Sequence, residues 1–457
     1  MKGPFVKEKL LIIGGVAAGL AAAMQARRRS PETEITVLER TNDISYGACG
    51  LPYVISGLIP DLQRLIVHTP DYFKDKHNVK VHLDTAAREI LPAKAIVRVR
   101  RGGEDLELDY TRLIIATGAA AICPPLPGHE LEGVLVMRHL RDGRRALEYI
   151  ERRRPRRAVV VGAGYIGLEM AEAFQTRGLQ TTVIEASDQV MTTLGGALRD
   201  RVVDELRGRG VQIIFGEKVS GFEGGAFGVE RVLTETGRTV EAEIVSIGVG
   251  VRPNAGLAAE AGIEVGESGA IRTDAQMRTN MTNIYAAGDC CEVLHRVSGK
   301  SVWFPLGQPA VKQGWIAGAN AVDVDGTASE RYAGVVGTNV VKVFELEVGR
   351  TGLSEAEARD AGFDASSIES ETASRAGYYP GGSKILTRLV FDRRGRLLGA
   401  QMVGREGVAQ RIDVYAAALY ASLKVEDIER FDLAYAPPYA PTIDPILRAA
   451  HKARHRS

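Results

Sequence analysis

Cysteine is scarce in this chain: Cys49, Cys123, Cys290 and Cys291 are the four among 457 residues. So few exclude a disulfide framework and point to a reducing compartment. Cys49 has no second cysteine at the short spacing that a redox-active pair needs. A surplus of charge is missing too, with 58 Lys+Arg against 57 Asp+Glu and a formal net charge of +1. That balance excludes a strongly basic nucleic-acid binder. No apolar run reaches the roughly 18 residues of a membrane span. The stretch Met1–Lys9 is polar and charged, without the form of a signal peptide. A soluble cytoplasmic protein is expected, with no nucleic-acid or membrane partner. No His/Cys/Asp cluster shows metal-ligand spacing, so no metal is expected. The basic stretch His451–Ser457 reads as the solvated end of a helix.

What is present is a repeated glycine-rich pattern. A 45% hydrophobic composition over this length supports two or three domains. The apolar strand Lys9–Ile13 turns through Gly14, Gly15, Val16, Ala17, Ala18 and Gly19 into an Ala-rich helix reaching Arg29. A second strand, Glu34–Leu38, ends at Glu39 and Arg40. Small residues let backbone approach a pyrophosphate, the helix N-terminus offers N–H groups, and the acid accepts ribose hydroxyls. Val16 departs from the strict pattern, which has glycine there. A second copy is cleaner. Arg157–Val161 leads into Gly162, Ala163, Gly164, Tyr165, Ile166 and Gly167, a helix through Phe174, and a strand Gln180–Ile184 ending at Glu185. Glu185 repels a 2′-phosphate and no arginine follows closely, which favours NADH and leaves NADPH possible.

Tyr110–Gly118 reads as a buried strand ending at Thr117 and Gly118, and Thr282–Asp289 as another ending at Gly288 and Asp289. Asp289 then sits at a strand's carboxyl end, placed to bond a ribityl hydroxyl, to cap a following helix, or both. Gly248 completes the cofactor-binding set. The fold class is α/β, with two Rossmann-like nucleotide-binding domains and a C-terminal α+β dimerisation domain. Residues 1–120 and 253–328 form the first, 121–252 the inserted second, and 329–457 the third. In the third, Thr338–Phe344, Lys384–Phe391 and Leu397–Val403 read as strands and Ile412–Ser422 as a helix. Cys290 and Cys291 read as core packing at a helix start.

This order of motifs resembles the FAD-dependent pyridine nucleotide-disulfide oxidoreductases across essentially the whole chain. The run Ser45–Tyr53 with its one cysteine, Ala376–Gly381, and Asp432–Tyr439 resemble the coenzyme A-disulfide reductase branch, which overlaps with NAD(P)H persulfide and polysulfide reductases. The resemblance implies FAD on the first unit and NADH on the second, with nicotinamide and Cys49 on opposite faces of the flavin. It implies coenzyme A, as substrate or held cofactor, beside Cys49 at Gln25, Arg28, Ser45 and Lys76. Read without the family, Arg27–Arg29 is a solvated helix end interacting with the dipole. Ala21, Ala48, His77 and Ile443 depart from coenzyme A-contacting positions of the family.

No C-terminal histidine matches the acid of glutathione- and lipoamide-type relatives. Tyr435, with Tyr378 or Tyr379, is the expected substitute, reaching into the other subunit of a homodimer. Ala17 stands where peroxidase and water-forming oxidase relatives have a histidine, which disfavours peroxide chemistry. Cys49 must react as a thiolate, with its pKa depressed by dipoles or charge. The expected activity passes hydride from NADH through FAD to Cys49, which forms a mixed disulfide with coenzyme A. The substrate is then coenzyme A disulfide, a persulfide or a polysulfide. An H2O2-forming NADH oxidase and a non-catalytic NADH-sensing flavoprotein are the alternatives.

Overall fold

The computed structural model describes residues 8–323 and 330–455. Met1–Lys7, the expected domain limit at 328/329, and Arg456–Ser457 lie outside them. The continuous apolar runs become strands buried on both faces, as a parallel sheet flanked by helices requires. In the first sheet the order is Ile284–Ala286, Arg112–Ile115, Lys9–Ile13, Glu34–Leu38, Val79–His82, all parallel. The second is also parallel, in the order Gln212–Phe215, Gln180–Glu185, Arg157–Val161, Ile244–Ile247, Val134–Val136. Antiparallel strands Ala119–Ala121 and Val251–Pro253 carry the chain out of the first region and back.

The helix Ala17–Arg29 is Ala-rich because a second helix, Gly307–Ala321, crosses it closely. A Cβ on Gly314 would stand 2.3 Å from the carbonyl oxygen of Ala18, and one on Gly318 would stand 2.2 Å from that of Ala22. Backbone approach also explains the first glycine of each turn. Gly14 has φ +116° and its added Cβ would meet Ala116 O at 2.1 Å; Gly162 has φ +100° and would meet Gly248 O at 2.6 Å. Left-handed strain and overpacking together put Gly14→Ala at a cost of about 2–5 kcal/mol. Its thermal unfolding should therefore fall well below wild type, and an unchanged melting curve would contradict this reading of the turn.

The third region is an antiparallel sheet in the order Asn339–Val343, Leu346–Gly352, Leu397–Gly404, Lys384–Asp392, Ala365–Ala373. Its helix spans Val408–Tyr420, starting four residues before the expected Ile412. The Glu347 carboxylate sets that start by accepting from Val408 N at 2.7 Å and Ala409 N at 2.9 Å, a cap contributed from another strand. Arg411 on this helix is buried with Asp444, which caps the helix Pro445–Arg454 by accepting from Ile446 N.

Candidate active site

Cys49 occupies a single 3-10 turn, Ala48–Gly50, that runs directly into the helix Leu51–Ser56. The loop before it is clamped at Ser45, which adopts φ +50°, donates from N to Gly15 O at 3.1 Å and accepts from Val67 N at 2.7 Å. Its neighbour Tyr46 hydrogen-bonds His139 Nδ1 at 3.1 Å. Beyond Cys49, the apolar residues Leu51, Val54 and Ile55 are buried in the same core as Leu168, Met170 and Ala171 from the second glycine-turn helix. The cysteine is thereby fixed at the seam between the two glycine turns.

One cavity of about 1540 Å³ joins them. Its walls include Gly14, Gly15, Ala18, Glu39, Arg40, Cys49, Thr117, Gly118, Gly162, Gly164, Tyr165, Ile166, Glu185, Gly248, Gly288 and Asp289. Gly19 and Gly167 are absent from the walls. They lie beneath the turns, where added Cβ atoms would meet Gly14 O at 1.9 Å and Gly162 O at 2.0 Å. The two acids play matching parts. Glu39 accepts from Gly15 N at 3.0 Å and Thr41 N at 2.9 Å, and Glu185 from Ala163 N at 2.6 Å and Ser187 N at 2.9 Å. Val16 keeps φ −115°, ψ −133°, a negative φ that needs no glycine.

Three expectations need correction. Asp289 does not cap a helix: a turn follows it, then the short strand Val293–Leu294. Its carboxylate pairs instead with Arg138 at 2.5 Å. Cys290 and Cys291 therefore stand in a turn rather than at a helix start, both buried and free. The Cys49 thiol is shifted upward, not downward. Cys49 is open to the cavity, but surrounding protein desolvates it, and Glu169 and then Asp289 add to the rise against Arg138.

Arg138 and Glu169 line the cavity and were not among the expected site residues. Glu169 follows Gly167 by two positions, a signal readable in the sequence; Arg138 carries no motif. Burial, helped by Glu172, pushes the Glu169 carboxyl up to about 7. Above that pH its charge opposes Cys49 ionisation. Glu169→Gln should lower the pH midpoint of Cys49 alkylation. An unchanged or higher midpoint would contradict the coupling.

Gln25, Arg28, Ser45 and Lys76 lie outside the cavity walls. Arg28 is exposed and donates to Gln25 Oε1 at 3.2 Å. Its neighbours are committed elsewhere. Arg27 donates to the carbonyls of His77 and Asn78 at the end of the helix Pro70–His77, and Arg29 pairs with Glu330. Lys76 sits exposed on that second helix. Tyr378 and Tyr435 are both exposed and hydrogen-bond one another at 3.1 Å, away from this chain's own cavity.

Residues 8–314 match the pyridine nucleotide-disulphide oxidoreductase family, and residues 338–445 match that family's dimerisation domain. The chain belongs to the pyridine nucleotide-disulphide oxidoreductases. It is 39% identical over 96% of its length to an "NAD(P)H sulfur oxidoreductase (CoA-dependent)" of Pyrococcus furiosus, covering 98% of that protein. It is 30% identical over 98% of its length to a "Coenzyme A disulfide reductase" of Staphylococcus haemolyticus, covering 99% of it. The fold is similar to that of an NAD-dependent persulfide reductase from A. fulgidus, with a TM-score of 0.94 and 37% identity, covering 98% of this chain and 83% of that one.

The residues present fit two dinucleotides, as this oxidoreductase family requires. The cavity exceeds the roughly 300–1,000 Å³ of a single small-molecule site. Tyr165, in its wall, has a buried hydroxyl with no hydrogen-bond partner among the described residues. Among the described residues no helix is long and apolar enough to cross a membrane.

Proposed function

We propose that this oxidoreductase uses NADH, through FAD, to reduce sulfur bonded to coenzyme A at the single thiol Cys49. One observation carries the reading: an unpaired cysteine opens into a cavity shared by two dinucleotide-type turns. The printed activities of the similar proteins support the substrate class. Gly14, Gly15, Ala18, Gly19, Glu39, Arg40, Thr117, Gly118, Gly288 and Asp289 hold FAD. NADH takes Gly162, Gly164, Tyr165, Ile166, Gly167, Glu185 and Gly248. The corresponding domains are residues 1–120 with 253–328 and residues 121–252, followed by a dimerisation domain from 329 to 457.

FAD, when bound, relays the electron pair of NADH to a sulfur–sulfur bond at Cys49. The remaining chemistry belongs to this chain's side chains. Cys49 thiolate attacks a coenzyme A disulfide; a new sulfur–sulfur bond forms to one coenzyme A and the other leaves as thiolate. Two electrons cleave the mixed disulfide, returning Cys49 thiolate and a second coenzyme A thiolate. Overall, one disulfide, one NADH and one proton yield two thiols and NAD+. Persulfide or polysulfide replaces the disulfide in the same scheme. Arg28, Gln25, Ser45 and Lys76 bind the coenzyme A, the guanidinium taking a phosphate.

The leaving thiolate is hydrogen-bonded by Tyr435 or Tyr378 of the partner subunit. The dimerisation-domain match supports a homodimer. So does the exposure of Tyr378, Tyr379, Tyr435, Tyr439 and Ile443 together in one region. Four free cysteines suit the cytoplasm. The test is NADH oxidation by the FAD-loaded protein without oxygen, on adding coenzyme A disulfide or polysulfide. Turnover at roughly ten per second, a typical enzyme rate, is expected. NADH oxidation that needs O2 and produces H2O2 would instead support an oxidase.

A further inference from the structure

Outside this cavity, the fold assembles a donor set that the linear sequence keeps apart. Glu429 ends the helix Val425–Glu429, while His451 and His455 lie one turn apart at the end of Pro445–Arg454. Spacing of four residues puts both imidazoles on one helix face. Their ring centroids are 4.4 Å apart. Taking one ligand atom from each residue, the three atoms all lie within 4.8 Å of one another. We propose that Glu429, His451 and His455 bind one divalent transition-metal ion per chain.

The chemistry of the donors supports that assignment. Glu429 Oε1 accepts from His451 Nδ1 at 2.7 Å, so the first pair of ligands is already oriented. Arg454 donates to the other oxygen, Oε2, at 2.7 Å. It can remain there after metal binding, since carboxylate ligands are commonly hydrogen-bonded from behind. The ion replaces the proton shared between His451 and Glu429, and that proton is released to solvent. Two imidazoles and one carboxylate favour Zn2+, Ni2+ or Co2+ over Mg2+ and Ca2+, which prefer oxygen.

Three protein ligands leave at least one coordination position to water. An ion here ties the last turn of the chain's final helix to the helix before it. No metal-ligand spacing shows in the sequence, because Glu429 precedes His451 by 22 residues and only the folded chain joins them.

The experiment is calorimetric titration of Zn2+ into the FAD-loaded, full-length protein carrying Cys49→Ser and Cys123→Ser, which removes the two exposed thiols as competing ligands. One equivalent per chain is expected to bind saturably. His451→Ala and His455→Ala, each added separately, should weaken it by about 10–100-fold. Both positions are exposed, so these changes leave the fold intact. Absence of saturable binding overturns the proposal. So does Zn2+ binding that neither histidine change weakens, or Mg2+ binding of equal strength.

Discussion

Cys49→Ser is expected to lose coenzyme A disulfide reduction by roughly 10³-fold or more in kcat. The magnitude follows from what the residue must do. Serine fills the space of the thiol, yet its hydroxyl stays protonated at neutral pH and cannot form a bond to sulfur that two electrons then reverse. Cys290 and Cys291 offer no substitute, being buried, and Cys123 lies outside the cavity walls. Slow oxidation of NADH by O2 should survive, because it needs the cofactors and not the thiol. Measuring both reactions on one preparation separates the readings. Disulfide reduction at wild-type rate in the serine variant would remove Cys49 from the mechanism. Fast, peroxide-forming oxygen consumption in both proteins would favour the oxidase.

The second large effect is expected far from Cys49. Arg411 is buried, donating to Asp444 Oδ2 from Nη2 at 2.8 Å and from Nε at 2.9 Å. The same guanidinium donates to the carbonyls of Ser374, Tyr439 and Gly407, each at 3.1 Å. Arg411→Met strands the Asp444 charge and three carbonyls in the interior. Breaking a buried pair in this way costs about 3–5 kcal/mol. The double change Arg411→Met with Asp444→Leu should recover much of the loss, because no unpaired charge remains. Guanidinium denaturation of the single and double variants checks this. A single variant as stable as wild type would contradict it. Ser374 and Tyr439 flank the segments that carry Tyr378 and Tyr435, so disulfide turnover should fall as well.

Both glycine turns were readable because they answer backbone requirements. Gly14 and Gly162 sit at positive φ against a neighbouring carbonyl, and Gly19 and Gly167 let each helix approach its own turn. Strands Lys9–Ile13, Glu34–Leu38 and Arg157–Val161 match the reading residue for residue, since apolar runs bounded by turns leave few choices. Tertiary partners defeated it elsewhere. Glu347 moved the start of Val408–Tyr420, and Arg138 claimed Asp289. In the run Arg27–Arg29 the sequence cannot separate the helix-tying Arg27 from the exposed Arg28; the carbonyls of His77 and Asn78 do so. The pairing of Tyr378 with Tyr435 spans 57 residues and needed the fold.

The proposed cycle rests on one sulfur that alternates between thiolate and a mixed disulfide with a molecule not part of the chain. The most direct test is the intact mass of the full-length protein, purified without reductant and exposed to coenzyme A disulfide. One coenzyme A per chain is expected, mapped to Cys49 by peptide mass and released by NADH in the absence of oxygen. A mass unchanged by the treatment, or Cys49 found bonded to another cysteine of the same chain, would contradict it.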